Sequence, residues 1–217
     1  MKWIALLAAG IIASLTACQT AQQALEASAP DLDDYTYVLV DETFTKEDVW
    51  TVEDGVLICK GKPLGYLQTK ASYEDFKLSF EWRWPVGKPG GNSGVLFRIQ
   101  GEANGFMPQC VEAQLKSGSA GDLWAFFGAK VAGERPVDVK DHDPLGDFHG
   151  VKAEKNAERP IGEWNRYEIT VKGEKVDLKI NGERVNQGSA LLRKAGPIGF
   201  QSEGGEIHFR KIRITRI

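Results

Sequence analysis

Leu78-Ser79-Phe80-Glu81-Trp82-Arg83-Trp84 alternates apolar and polar residues without a break. In an extended chain successive side chains point to opposite faces. Leu78, Phe80, Trp82 and Trp84 therefore share one face, and Ser79, Glu81 and Arg83 share the other. No helix of period 3.6 gives a continuous stripe from this pattern, so the stretch predicts a half-buried strand.

The same period recurs outward in both directions. Val95, Phe97 and Ile99 oppose Leu96 and Arg98. Glu112 and Gln114 oppose Val111, Ala113 and Leu115. Gln201 opposes Ile198 and Phe200. Further short β-branched or aromatic runs lie at 38–40, 50–52, 56–58, 166–171, 175–180 and 206–214. Asp54-Gly55 and Asn181-Gly182 supply the positive φ angles that tight hairpins need. Many short strands between such turns, in a chain with 24 glycines, predict an all-β fold of two antiparallel sheets, a sandwich or jelly roll. The apolar sets fill the space between the sheets. If the other faces are neighbours in one sheet, they bring together Glu81, Arg83, Asn92, Arg98, Glu112, Gln114 and Gln201. Fixed carboxylates, guanidinium groups and amides suit paired sugar hydroxyls; a salt-bridged outer surface is the alternative.

The first residues serve as an address. Lys2 precedes an apolar run, Ile4 to Ala13, too short to span a bilayer. Leu15-Thr16-Ala17-Cys18 resembles a bacterial lipobox. That resemblance implies a signal peptide at 1–17, cleavage before Cys18 and acylation of Cys18, hence attachment to the lipid membrane of the cell envelope, on the periplasmic side of the outer membrane or at the cell surface. Residues 18–34, rich in Ala, Gln, Ser and Asp, read as the lipidated cysteine and a flexible tether, and 35–217 as one domain. A formal charge of −3 with scattered basic residues excludes a general nucleic-acid binder. Cys59 and Cys110 are either a disulfide of an oxidising compartment or two buried thiols.

Several segments, in order, resemble the 3-keto-disaccharide hydrolase family. Gly91-Asn92-Ser93-Gly94-Val95-Leu96-Phe97-Arg98 is the most specific. Tyr73 to Leu78, Val111-Glu112-Ala113-Gln114, Gly121-Asp122-Leu123-Trp124, Lys155 to Asn165, Asn181 to Val185, and Gly196-Pro197-Ile198-Gly199-Phe200-Gln201 through Ile212 accompany it. The likeness runs from about Tyr35 to Ile217. It implies a concanavalin A-like jelly roll with the ligand on a concave sheet, and an exported protein acting on 3-keto-glycosides or binding related saccharides. The stretch Ala129 to Gly150 matches in position only.

A carbonyl at C3 of a sugar acidifies the proton on C2. Removing that proton and expelling the C1 oxygen is a β-elimination, and later addition of water makes the outcome a hydrolysis. The route needs a base at C2, a positive group or metal at the C3 oxygen and an acid at the leaving group. Glu112 and Glu81 are the candidate acid and base, with His149 a further proton-transfer group. Arg83 and Arg98 could stabilise the enediolate or hold a neighbouring carboxylate in place, and Asn92, Gln114 and Gln201 are candidates for hydroxyl recognition. Trp124 could stack on a ring or pack at a strand end, and Lys155 could reach the cleft or stay solvated. Asp141, His142 and Asp143, with Asp147 nearby, could hold a divalent metal ion or form a solvated turn. His208 reads as structural or solvated. No Ser/His/Asp order, nucleophile elbow or phosphate-cradling loop is present. The leading expectation is an enzyme cleaving 3-keto-glycosides; the alternatives are a non-catalytic carbohydrate-binding lipoprotein on the same face, and a structural or interaction domain.

Overall fold

A computed structural model describes residues 30–217. The lipobox with Cys18, the leader 1–17 and the tether as far as residue 29 lie outside the described residues. The chain opens with a 3-10 turn, Leu32–Asp34, capped by Asp31; Leu32 packs against the core, so the domain starts a few residues before Tyr35.

Fifteen strands follow: β1 (Tyr35–Leu39), β2 (Trp50–Glu53), β3 (Val56–Cys59), β4 (Gly65–Thr69), β5 (Phe76–Arg83), β6 (Gly94–Asn104), β7 (Met107–Gln114), β8 (Leu123–Phe126), β9 (Pro136–His142), β10 (Gly146–Val151), β11 (Asn165–Lys172), β12 (Lys175–Ile180), β13 (Glu183–Gly188), β14 (Gly199–Ser202) and β15 (Ile207–Arg216). One helical turn, Lys46–Val49, precedes β2 and carries a capping box between Thr45 and Asp48. All strand pairs are antiparallel. They form an eight-stranded sheet, β1-β4-β14-β6-β7-β8-β10-β9, and a seven-stranded sheet, β13-β12-β11-β5-β15-β3-β2. The expected jelly-roll sandwich is therefore present, and the hairpin turns at Asp54-Gly55 and Asn181-Gly182 have positive φ at both residues.

The alternation that opened the sequence sets the core. Leu78, Phe80 and Trp82 of β5 are fully buried; Phe80 meets the rings of Tyr167, Phe200 and Phe209, at 5.5 Å from Tyr167 and 5.8 Å from Phe200, and Trp82 also packs on Tyr167. Aromatic pairs at such distances add to the stabilisation from burial itself. Val95, Phe97, Val111, Ala113 and Ala125 supply the facing layer. A second, smaller cluster lies on the outer face of the eight-stranded sheet: Tyr66, Leu96, Ile99, Phe106, Met107, Cys110, Phe126 and Leu145, with Trp124 and Phe148 against it.

Three expectations are corrected here. First, β5 lies in the seven-stranded sheet, so Glu81 and Arg83 share no face with Glu112 and Gln114. Second, Arg98 has φ 53° at a register shift between Phe97 and Gln100. The extra residue reverses the alternation, and Ile99 joins Leu96 on the outer face. Third, Ala129 to Gly150 is largely the hairpin β9–β10, paired through β8 to the sheet. Cys59 and Cys110 are both free and buried, one in the inter-sheet core and one in the outer cluster.

Candidate active site

The segment Gly91-Asn92-Ser93-Gly94 organises a cleft on the outer face of the eight-stranded sheet, each residue for a different reason. Gly91 lies against the backbone of Gly204 and Gly205, where a Cβ would overlap main-chain atoms. Neither Gly90 nor Gly91 has positive φ, so close approach to main chain is what Gly91 provides. Asn92 donates its N–H to the Gly204 carbonyl at 2.7 Å, and its side chain lines the cleft. The Ser93 hydroxyl donates to the Gln201 carbonyl at 2.9 Å, tying β6 to β14. Gly94 leaves its Cβ space to two oxygens, Glu112 Oε1 and Gln201 Oε1.

Strand register then places the rest. Glu112 is opposite Leu96 on one side and Trp124 on the other; Gln114 is opposite Gly94. Gln114 Oε1 accepts from the N–H groups of Leu115 and Lys116 at 2.9 and 2.8 Å, which leaves its amide nitrogen for a ligand. The cleft has a volume of about 220 Å³, and Lys116, Asp122, His142, Lys152 and Glu203 also border it. This is below the roughly 300–1,000 Å³ of pockets for drug-sized ligands, a size for one sugar ring with a compact substituent.

The electrostatics are those of two confined carboxyl groups. Glu112 is 2% exposed, and Oε1 has no protein partner. Burial first, then the negative charges of Glu203 and Asp122, push its pKa well above the carboxylate range. Burial raises Glu203 to about 7, against the opposing pull of Lys116 and a hydrogen bond from Asn92. Two like charges in one low-dielectric site cannot both ionise at once without a large penalty, so at neutral pH the pair holds a proton. Buried acceptors left without donors cost about 1–3 kcal/mol each. Glu112 Oε1, Gln201 Oε1 and Asn92 Oδ1 all stand in that state.

Around the pair, supporting groups are locked. Asp122 accepts from the Ala153 N–H at 2.7 Å and from Lys152 Nζ at 2.8 Å. Lys152 Nζ in turn lies 4.6 Å from the centroid of the Trp124 ring, so that face of Trp124 is covered by a cation. Glu158 accepts from the N–H groups of Gly118 and Ala120 and fixes the loop that carries Lys116 and Ser119.

Of the residues expected from sequence, Asn92, Glu112, Gln114, Trp124 and Gln201 come together here. The others do not. Glu81 is paired with Arg210 Nε at 2.6 Å and Lys211 Nζ at 3.0 Å on the outer face of the seven-stranded sheet; burial raises its pKa, but those two hydrogen bonds outweigh it and hold it low. Arg83 donates to His208 Nδ1 at 3.3 Å and stacks over Trp164 at 4.6 Å on that same sheet. His208, expected to be structural or solvated, is buried there and also contacts Glu206 through Nε2 at 3.0 Å. Arg98 is buried as a clamp: it donates to the carbonyls of Glu74, Gly173 and Leu192 and lies 3.5 Å from Asp75. Lys155 pairs with Glu183 at 2.7 Å, away from the cleft. His149 is opposite Ala125, on the inward face, and accepts from the Val131 N–H.

Asp141, His142 and Asp143 do not form a metal centre. Among the described residues no three His, Cys, Asp or Glu side chains gather as ligands. The Asp141 N–H instead donates to Asp147 Oδ1, Asp147 pairs with Lys140, and His142 packs on Phe148 at 5.4 Å. These residues do not fit a divalent cation, and no step below is routed through one.

Glu203, Lys116, Asp122 and Lys152 are the cleft residues that sequence reasoning missed. Glu203 had a readable signal: it stands two residues beyond Gln201, just past the end of β14, immediately before Gly204-Gly205.

The fold and the site together define a class: jelly-roll sandwiches of the galectin-like and carbohydrate-module type, with an acidic cleft. The chain belongs to the family of 3-keto-α-glucoside-1,2-lyase-like domains, matching it over residues 31–215, nearly the whole described domain. Among curated proteins none matches this chain. Solved structures with the same fold include two candidate glycosyl hydrolases of Parabacteroides distasonis. One is 19% identical with a TM-score of 0.59, over 87% of this chain and 91% of that one. The other is 22% identical with a TM-score of 0.57, over 84% and 99%. The carbohydrate-binding module CBM66 of Bacillus subtilis aligns at 10% identity and a TM-score of 0.57, over 83% and 94%. The family points to a carbohydrate-related activity, and the solved structures share the fold.

Proposed function

We propose that this protein is an exported lipoprotein, anchored through Cys18 in the cell envelope, that cleaves the glycosidic bond of 3-keto-glycosides. The observation that carries this reading is the carboxyl pair: two acids of raised pKa confined in one sugar-sized cleft beside orphaned amide groups. A non-catalytic sugar site has no use for two carboxyl groups held out of water at that cost.

The roles follow from what surrounds each acid. Glu203, whose ionised form is favoured by Lys116 and by a hydrogen bond from Asn92, while Glu112 Oε1 is enclosed without a donor, is the base and takes the proton from C2. The electron pair forms the C2–C3 double bond, and negative charge develops on the C3 oxygen. Lys116, whose charge acts on Glu203, is the cation available to that oxygen. The enediolate then collapses, its electrons form the C1–C2 double bond, and the C1–O bond breaks. Glu112, still protonated, gives its proton to the departing oxygen. The products are an alcohol and an unsaturated 3-keto sugar; addition of water across C1–C2 completes a hydrolysis. Asn92, Gln114 and Gln201 hold the remaining hydroxyls.

The test is incubation of the purified domain with 3-keto-trehalose and with methyl 3-keto-glucosides of both anomeric forms. Release of the alcohol by the wild type, reduced about 10²–10⁴-fold in Glu112→Gln and in Glu203→Gln, supports the enzyme. Sugar binding without cleavage of any of them supports a carbohydrate-binding protein instead.

A further inference from the structure

The cleft has two unlike halves. Along β7, Gln114 and Glu112 are followed on the same face by Cys110, opposite Phe126. At about 3.4 Å per residue, that step carries the cleft roughly 7 Å from Glu112. Asn92, Gln114, Lys116 and Glu203 stand at one end. Met107, Phe126, Leu145 and Phe148 wall the other. Phe148 lies 4.9 Å from Phe126 and 5.4 Å from Trp124. Leu145 and Phe148 come from the hairpin β9–β10, the segment that matches its family in position only.

Resting on the function proposed above, we propose that this apolar half receives the aglycone, and that the substrates are 3-keto-glycosides of apolar, ring-bearing alcohols in preference to 3-keto-disaccharides. With the sugar at the polar end, Glu112 falls between the two halves, where the leaving oxygen must be. A second sugar lying among Met107, Phe126, Leu145 and Phe148 would bury hydroxyls against carbon, at about 1–3 kcal/mol for each left unpaired. An aromatic or alicyclic group loses nothing there and removes apolar surface from water. His142, packed on Phe148 at the rim, and the Gln201 amide, 4.0 Å from the Met107 sulfur, are the polar groups at that end, too few to serve the several hydroxyls of a second hexose.

The test compares benzyl with methyl 3-keto-glucoside, whose leaving alcohols are of similar basicity, and both with 3-keto-trehalose. The expected result is a kcat/KM at least tenfold higher for the benzyl compound, carried by KM. Phe148→Ala should reduce the benzyl-to-methyl ratio about tenfold, and Phe148→Leu, which keeps bulk, should restore part of it. Equal kcat/KM for the three substrates, or a ratio unmoved by Phe148→Ala, overturns the proposal. Unoxidised benzyl glucoside gives a readout that needs no turnover: quenching of tryptophan fluorescence at lower concentration than by methyl glucoside. That difference should weaken in Phe148→Ala and persist in Glu112→Gln. If no 3-keto-glycoside is cleaved but the fluorescence difference holds, the catalytic reading fails and the apolar subsite stands. If cleavage occurs without any benzyl preference, the reverse is true.

Discussion

Glu112 Oε1 and Gln201 Oε1, from strands on either side of β6, occupy the volume that a side chain at position 94 would fill. Both are buried and neither has a donor. The amide nitrogen of Gln201 meets only the Met107 thioether, at 4.0 Å, a weak acceptor. A protonated Glu112 can give its hydrogen to Gln201, or a sugar hydroxyl can serve both oxygens. Gly94→Ala forces the two groups apart. Overpacking of this kind costs about 1–3 kcal/mol, and kcat/KM should fall at least tenfold while the domain stays folded. Steady-state kinetics beside a urea melt checks both; wild-type kinetics in a folded Gly94→Ala would show that the crowding has no part in the site.

The carboxyl pair also sets the pH dependence. Turnover requires Glu203 ionised and Glu112 protonated. The rate should rise as pH passes about 7 and fall again at higher pH as Glu112 loses its proton, the two limbs belonging to the pair as a whole. Stability moves differently. Both groups bind protons more tightly folded than unfolded, so the folded state holds the extra protons between the ordinary value of 4.5 and the raised one. Stability is then greatest below 4.5 on this account, declines as pH rises toward 7, and declines further as Glu112 ionises. Urea midpoints at pH 5 and pH 8 measure it, and Glu112→Gln with Glu203→Gln should flatten the difference.

The two charged residues nearest in type to the site, but outside it, should separate cleanly. Glu81→Gln loosens a partly exposed ion-pair cluster, a change of about 1 kcal/mol or less, and should leave kcat/KM untouched. Arg98→Ala removes a buried guanidinium that ties three part-buried carbonyls around a strained bulge and should cost about 3 kcal/mol, with KM little changed in whatever fraction stays folded. Denaturant titration and kinetics on both variants give the comparison.

Cys59 and Cys110 belong to separate apolar clusters on opposite faces of the eight-stranded sheet, so reductant should not lower the melting temperature. Burial pushes Cys59 up to about 11 and Cys110 well above its ordinary value. Both should therefore resist alkylation until the domain unfolds. Thiol counting in native and denatured protein checks this.

What the sequence made legible was local. Period-two alternation identified β5, β7, β11 and β12, and paired positive-φ residues identified two hairpins, because each depends on neighbours in the chain. Sheet membership is not local. Glu81 and Glu112 have the same alternating context, and only pairing decides that one faces an ion-pair network and the other a cleft. The bulge at Arg98 was invisible for the same reason: its φ is held by carbonyls from Glu74, Gly173 and Leu192, distant in sequence. The Asp-rich stretch around His142 offered a metal site or a solvated turn because its charges masked the alternation of Val137 and Val139 in β9. Gly91 and Gly94 could be seen as unusual, but not that one makes room for main chain and the other for two side-chain oxygens.

The most direct measurement follows the hydrogen on C2. Methyl 3-keto-glucoside carrying deuterium at C2 is cleaved in ordinary water, and the sugar product is analysed by mass spectrometry and NMR. Proton abstraction by Glu203 predicts loss of the deuterium in step with release of methanol, with a slowed rate for the labelled substrate. Cleavage that leaves the deuterium in place, or equal cleavage of the unoxidised glucoside, would contradict it.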